Sequence, residues 1–370
     1  MNSLLSFSVI DISVLGKTLM VPIPNLSDVS VVILGAGFSF AVTDGKMPLM
    51  CNFFHGIDKT SYPLLSRFVE AVDGNIETAN IEQILLVLDQ INSSPKSVLE
   101  GWAEEWSDNQ CELRKQMTEY CCMRFKAGFD IPIYNWAASI LASCGPNTTV
   151  ITMNYDNLAE RILSNRGYII HHGSEMNCPH CKMKYLLHRA CNCSARENLN
   201  DDSWRGSLLK LHGSITWGRC LNEKCCNHQC LVPDELCRPF QPCCCRFCGE
   251  LYSPVMVMPT MSKNLNEIPE IKIMWQSARK AISDAESIFI FGFSLPSSDE
   301  LLIQMIRNSI HCNKKLKRLS VIDRKPDKVI ERFKRCIPDD YNLNVSQYVV
   351  SSVEPPEWFV SPFISTIYVM

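Results

Sequence analysis

The sequence has no apolar run near the roughly 18 residues that a membrane-spanning helix needs; its longest stretches, such as residues 287–295, reach about half that. It also lacks an excess of charge of one sign. With 36 Lys plus Arg against 39 Asp plus Glu, the formal net charge is −3, and no bulk electrostatic grip on nucleic acid or an acidic membrane is indicated. The opening stretch MNSLLSFSVIDISVLGK has no basic start and carries Asp11 within its apolar part, which makes it a poor signal peptide. There is no internal repeat and no low-complexity tail. What is present is 370 residues with 46% hydrophobic content, enough for one large α/β domain or two smaller ones. That excludes collagen-like, coiled-coil and disordered chains, and the expectation is a cytoplasmic protein with no membrane segment.

Cysteine is abundant. Of 20 Cys, thirteen lie between Cys178 and Cys248 at paired spacing, while the other seven are scattered through apolar segments as small hydrophobes. In a chain this long the clustering points to metal in a reducing compartment rather than to a disulfide framework. Cys220, Cys225, Cys245 and Cys248 form C-x4-C-x19-C-x2-C, close to paired structural zinc knuckles. Upstream, Cys178-x2-Cys181 and Cys191-x-Cys193 offer a second four-thiolate site. Four thiolates leave no open position, so either zinc would be structural; iron–sulfur ligation is the weaker alternative. Cys226, His228, Cys230, Cys237, Cys243 and Cys244 crowd the same stretch and leave the ligand choice open.

Punctuation of the apolar pattern gives the organisation. A β-branched run at 29–34 stops at Gly35-Ala36-Gly37, and helical periodicity then dominates at 81–91, 95–126 and 134–143. Strand-like runs return at 148–154, 207–213, 253–259, 287–293 and 317–323, with helical patterns at 268–285, 298–310 and 326–335. Strands alternating with helices of this length predict an α/β, Rossmann-like, doubly wound and mainly parallel sheet, with a helical insertion and an inserted Cys-rich zinc-binding module. Within one domain of residues 1–370, the expected segments are 28–60 (first Rossmann segment), 61–146 (helical insertion) and 147–172 (Rossmann). They continue as 173–206 (first Cys-rich insertion), 207–219 (strand and turn bearing His212), 220–250 (zinc knuckles) and 251–370 (C-terminal Rossmann segment).

Three strand ends carry candidate chemistry. Gly35-Ala36-Gly37-Phe38-Ser39 could bring backbone N–H groups close to a phosphate, or could need glycine for geometry alone. Thr152-Met153-Asn154-Tyr155-Asp156 sets polar groups at a strand's carboxyl end, where open α/β sheets bind ligands, although Asp156 also reads as a helix N-cap. Lys210-Leu211-His212-Gly213-Ser214 places an imidazole at another strand end, whereas His171 and His172 read as structural.

Together these motifs resemble the sirtuin superfamily: the glycine turn at 35–39, TMNYD at 152–156, LHGS at 211–214, the Cys-rich insertion, CRFCGELYSPVMVMP at 245–259, FGFSLPSSDELL at 291–302 and VIDRKPD at 321–327. The resemblance is nearer the bacterial NAD-hydrolysing, antiviral-defence branch than the protein deacylases. No Pro-Asp-Phe-Arg stretch follows the glycine turn. Val257-Met258-Pro259-Thr260-Met261-Ser262-Lys263 stands where deacylases capture peptide as an added strand, and proline cannot donate to such a ladder. The resemblance implies NAD+ as substrate, with structural Zn2+ at one or two sites. It assigns His212 as general base and Asn154 as holder of the ribose or the attacking water. Gly35, Ala36, Gly37, Phe38, Ser39, Thr152, Asp156, Gly292, Ser294 and Asp323 would bind the nucleotide. The expected activity is an NAD+ glycohydrolase, restrained as a homo-oligomer or by a separate sensor or ATPase chain. A sirtuin-type deacylase or ADP-ribosyltransferase, or a silent nucleotide-binding scaffold, are the other readings of the same residues.

Overall fold

Strands buried on both faces need continuous rather than alternating apolar sequence, and such runs form the centre of this fold. The computed structural model describes residues 30–93, 102–126, 136–142, 144, 148–164, 169–171, 175–177, 184–186, 205–220, 222–225, 231–232, 244–245, 247–250, 252–257, 268–296, 299–338, 341 and 343–349. In chain order these give β1 (Ser30–Leu34), α1 (Ala36–Val42), a 3-10 turn (Met50–Asn52), α2 (Pro63–Asp73), α3 (Ile81–Ser93), α4 (Trp102–Asp108), α5 (Gln110–Lys126) and α6 (Trp136–Ala142). Then follow β2 (Thr148–Thr152), α7 (Leu158–Ser164), β3 (Ile169–His171), β4 (Glu175–Asn177), β5 (Lys184–Leu186), β6 (Arg205–Lys210), β7 (Gly213–Arg219), β8 (Leu231–Val232) and β9 (Ser253–Met256). The last elements are α8 (Pro269–Asp284), β10 (Ser287–Phe291), α9 (Glu300–Cys312), β11 (Arg318–Asp323), α10 (Pro326–Lys334) and β12 (Asn344–Val349).

Seven strands make one parallel sheet in the order β12-β11-β10-β1-β2-β6-β3. Side chains alternate across it. Val31 and Ile33 face α8, α9 and α10 in one core, and Val32 and Leu34 face α1, α6 and α7 in the other. A separate cluster, from Phe53 to Cys121, holds α2 to α5 together. The expected α/β architecture is therefore present. Two details differ. The run at 253–259 is not a strand of the parallel sheet: β9 pairs antiparallel with β7, which also pairs with β8, in a small separate sheet. A parallel edge strand, β12, lies beyond the last strand expected.

From β1 the chain runs to β2 on one side, and β10 closes the other, so the strand order reverses between β1 and β10. Leu34 sits level with Thr152 and with Phe291, which brings three strand ends to one edge. A crevice at that edge is where an open α/β sheet takes its ligand.

Candidate functional site

A cavity of about 880 Å3 lies at this edge. Its wall includes Gly35, Ala36, Gly37 and Ser39 from the β1–α1 turn, Asn154 and Asp156 after β2, and His212 between β6 and β7. Gly292 and Ser294 after β10, Asp299 before α9 and Asp323 at the end of β11 complete that part, and Phe53, Ile81 and Leu85 of the helical segment close over it.

The glycines are required first by chain packing. A Cβ on Gly35 would meet the Gly292 carbonyl oxygen at 2.5 Å, and one on Gly37 would meet the Gly292 Cα at 2.8 Å. Gly292 itself has φ +61, and a Cβ there would come within 2.2 Å of the Phe38 nitrogen. Gly35 and Gly37 each spend an N–H on the β10 end, to the Phe291 and Gly292 carbonyls. Of the two readings open in the sequence, backbone geometry alone already demands these residues. The turn still forms cavity wall.

Asn154 is held by a chain of polar contacts. Its N–H donates to Thr152 Oγ1 at 3.1 Å, and its Nδ2 donates to the Gly35 carbonyl at 2.9 Å and to Ser39 Oγ at 2.8 Å. A carbonyl can only accept, so the Gly35 contact fixes which end of the carboxamide is which. The amide oxygen is left as the atom to meet a ligand. Ser39 in turn donates to Asp156 Oδ2 at 2.7 Å, while Asp156 Oδ1 accepts from the N–H of Leu158, the first residue of α7, at 3.0 Å. Both Asp156 oxygens thus serve the protein. Its position at the cavity wall is one of support.

Beneath Asp156 lies Lys210, 0% exposed, whose Nζ donates to the Asp156 carbonyl and pairs with Glu160 Oε1 at 2.8 Å. Removing one partner of a buried ion pair strands the other charge. Lys210→Met is expected to cost about 3–5 kcal/mol in urea unfolding, and adding Glu160→Leu to recover more than half of it. A single variant as stable as wild type would contradict this role.

His212 is 4% exposed and Asp299 1%. The imidazole Nε2 lies 2.8 Å from Asp299 Oδ2, and Asp299 Oδ1 accepts from the Leu302 N–H at 3.2 Å as the cap of α9. A carboxylate accepts, so Nε2 carries the proton and Nδ1 is the basic nitrogen. The backbone of this turn is pinned: Trp275 Nε1 donates to the Leu211 carbonyl at 2.9 Å and the Val257 N–H to the His212 carbonyl at 2.8 Å. Gly213, at φ +80, would put a Cβ 2.1 Å from the Val255 carbonyl oxygen. Tyr155 donates its hydroxyl to the Val257 carbonyl at 2.7 Å, and burial pushes that phenol well above its ordinary pKa, so it stays a donor.

Of the residues expected at the site, Phe38 and Thr152 are not on the cavity wall. Phe38 packs edge-on against Phe291 at 5.2 Å, and Thr152 donates its hydroxyl to the Leu34 carbonyl at 3.3 Å. Two groups of wall residues have no role assigned from sequence. One is Asp299, which belongs to the FGFSLPSSDELL motif; its place before ELLIQMI signals an N-cap, but nothing in that signal shows its second oxygen meeting His212. The other is Arg324, Lys325, Lys328 and Arg332, which line the cavity beside Asp323.

The Sγ atoms of Cys220, Cys225, Cys245 and Cys248 all lie within 4.8 Å of one another, with Cys220–Cys248 at 3.5 Å and Cys225–Cys245 at 3.6 Å. A tetrahedral zinc with Zn–S of about 2.3 Å needs sulfurs about 3.8 Å apart, whereas a disulfide needs about 2.05 Å. The cluster fits zinc. Burial disfavours the Cys245 thiolate, but the Phe247 and Cys248 N–H groups and the neighbouring thiols outweigh it and lower the pKa to about 6. Cys244 is exposed and stays outside the cluster. Cys178, Cys181, Cys191 and Cys193 lie outside the described residues, as do 258–263.

Among the described residues no helix is long and apolar enough to cross a membrane. No curated protein matches the chain by sequence. Among solved structures, a Sir2 complex with an inhibitor, 2'-O-acetyl-ADP-ribose and deacetylated p53 peptide matches at 14% identity and TM-score 0.36, over 88% of this chain and 89% of that one. A Sir2–p53 peptide–NAD+ complex matches at 14% and 0.36, covering 88% of each chain. A mutant Sir2 homologue with ADP-ribose matches at 15% and 0.38, over 86% and 87%. Scores of this size carry no residue roles across. The SIR2-like domain family model matches residues 148–225, the stretch that holds β2, Asn154, His212 and the first two cysteines of the metal cluster.

Proposed function

We propose that the protein is an NAD+ glycohydrolase that cleaves NAD+ to nicotinamide and ADP-ribose. The observation that carries this reading is the meeting of Asn154 and the Asp299-held His212 in one cavity at the reversal of the sheet; Asn154 and His212 themselves lie within the stretch that the SIR2-like family model matches. In the reaction the bond between the ribose C1' and the nicotinamide nitrogen breaks, and its electron pair neutralises the pyridinium. Water adds at C1' and loses a proton. Asn154 orients the ribose or the water through its amide oxygen, and His212 takes the proton from the water or a ribose hydroxyl. Gly35, Ala36, Gly37, Ser39, Gly292 and Ser294 surround the nucleotide, and Asp323 meets the adenosine ribose.

Water rather than a peptide is favoured as acceptor because of Val257. Its N–H is given to the His212 carbonyl and its carbonyl accepts from Tyr155. At that residue the N–H is spent and the carbonyl already has a partner, which disfavours pairing with an added strand. Following the family resemblance, the hydrolase would act as a regulated NAD+-depleting effector in bacterial antiviral defence, restrained by self-assembly or by a sensor or ATPase partner. Purified protein incubated with NAD+ alone is expected to release nicotinamide and ADP-ribose in equal amounts by chromatography. Release only when an acetylated peptide is added would replace this reading with a deacylase.

A further inference from the structure

The chain is slightly acidic overall, yet four cations converge on one part of the cavity wall. Arg324 and Lys325 follow β11, Lys328 lies in the first turn of α10 and Arg332 in its last. Several other exposed cations nearby in the sequence have carboxylate partners: Lys315 with Asp284, Lys317 with Glu286 and, on α10 itself, Arg335 with Glu331. Among the described residues no such pair involves Arg324, Lys325, Lys328 or Arg332. Arg332 donates to the Ser294 carbonyl at 2.6 Å, and the Arg324 guanidinium lies 5.9 Å from the centre of the Phe40 ring. Both contacts hold the side chains in place while leaving their charge uncompensated.

Asp323 is the acid beside them on the cavity wall; Asp327, in the first turn of α10, does not line the cavity. One of its oxygens accepts the Lys325 N–H at 2.8 Å. A strand-end acid normally receives the adenosine ribose hydroxyls and repels a phosphate there, whereas a neighbouring Arg accommodates one. Here the acid is outnumbered by four cations. A dinucleotide's diphosphate carries two negative charges; a ribose phosphomonoester adds about 1.5 to 2 more.

We propose that the cavity selects a pyridine dinucleotide bearing a phosphomonoester on its adenosine ribose, so that NADP+ is bound in preference to NAD+. Arg324, Lys325 and Lys328 are the specificity-determining residues. This rests on the reading of the cavity as a pyridine-nucleotide site.

The test is calorimetric binding of NADP+ and of NAD+ to the full chain, with nicotinamide release followed in parallel. NADP+ is expected to bind at least tenfold more tightly at low salt, with the preference shrinking as salt screens the contacts. Arg324→Ala with Lys328→Glu is expected to lower the ratio of NADP+ to NAD+ affinity at least tenfold. Both side chains are exposed, so melting temperature should stay near wild type. Equal or weaker binding of NADP+, or a ratio unchanged in the double variant, overturns the proposal. Because binding is read apart from turnover, tight NADP+ binding without nicotinamide release would support this selectivity while removing the glycohydrolase reading.

Discussion

Replacing His212 by alanine is expected to lower NAD+ turnover by about 10²–10⁴-fold, the usual worth of a positioned general base, and also to lower the melting temperature, because it takes the imidazole away from the buried Asp299 carboxylate. Asp299→Asn is the sharper experiment. Asparagine keeps the size of the side chain and an oxygen to cap the Leu302 N–H. Its amide would then present an N–H to the imidazole, so that Nε2 must accept and Nδ1 must carry the proton. The ring keeps its place and loses its basic nitrogen on the working side. The expected signature is a fall in kcat of about 10²-fold or more, KM for NAD+ within about threefold of wild type, and a normal melting curve. A merely structural Asp299 would show the reverse, lowered stability with kcat retained, and that result would remove the dyad from the mechanism.

The sheet was legible in the sequence because its strands are buried on both faces. The runs ending at Leu34 and Phe291 contain nothing but apolar residues and one serine each, followed at once by glycine. The same legibility misleads at 253–256: the apolar appearance of Pro254, Val255 and Met256 says that the segment is buried, not which way its partner runs. Its partner β7 is antiparallel. β12 was hidden for a related reason. Its pattern of exposed and half-buried positions suits an edge, and an edge strand gives little periodic signal.

The site was legible where strand ends bear polar residues, since topology gathers strand ends. That is how Asn154, His212 and the glycine turn could be placed in one crevice without knowing their distances. Contacts across the sequence carry no such signal. Asp299 is 87 residues from His212, and the four cations beside Asp323 read individually as ordinary solvated residues before and along a short helix. The glycines illustrate a different limit. Close approach to a ligand and close approach to another chain segment require the same residue, and only the 2.5 Å and 2.2 Å contacts at Gly35 and Gly292 show that the second requirement is present.

Loss of the metal cluster should reach the turn that bears His212, because the two strands that leave it end there. β7 runs from Gly213 to Arg219, directly into Cys220, and β9 starts after Tyr252, which packs on the cluster, and ends beside Val257. The Val257 N–H holds the His212 carbonyl. Four thiolates within 4.8 Å and without metal repel or are forced to protonate, and the free energy of structural zinc binding is folding free energy for the module it closes. Cys245→Ser, which removes a buried ligand from the centre of the knuckle, is expected to abolish zinc at this site, lower the melting temperature by more than about 5 °C and reduce NAD+ turnover at least tenfold. Prolonged treatment with a strong chelator should do the same, reversibly on adding zinc. Metal analysis of wild type then counts the sites: one zinc per chain for this cluster alone, two if Cys178, Cys181, Cys191 and Cys193 hold another. A variant that loses its zinc but keeps full turnover would show that β7 and β9 hold the His212 turn without help from the metal.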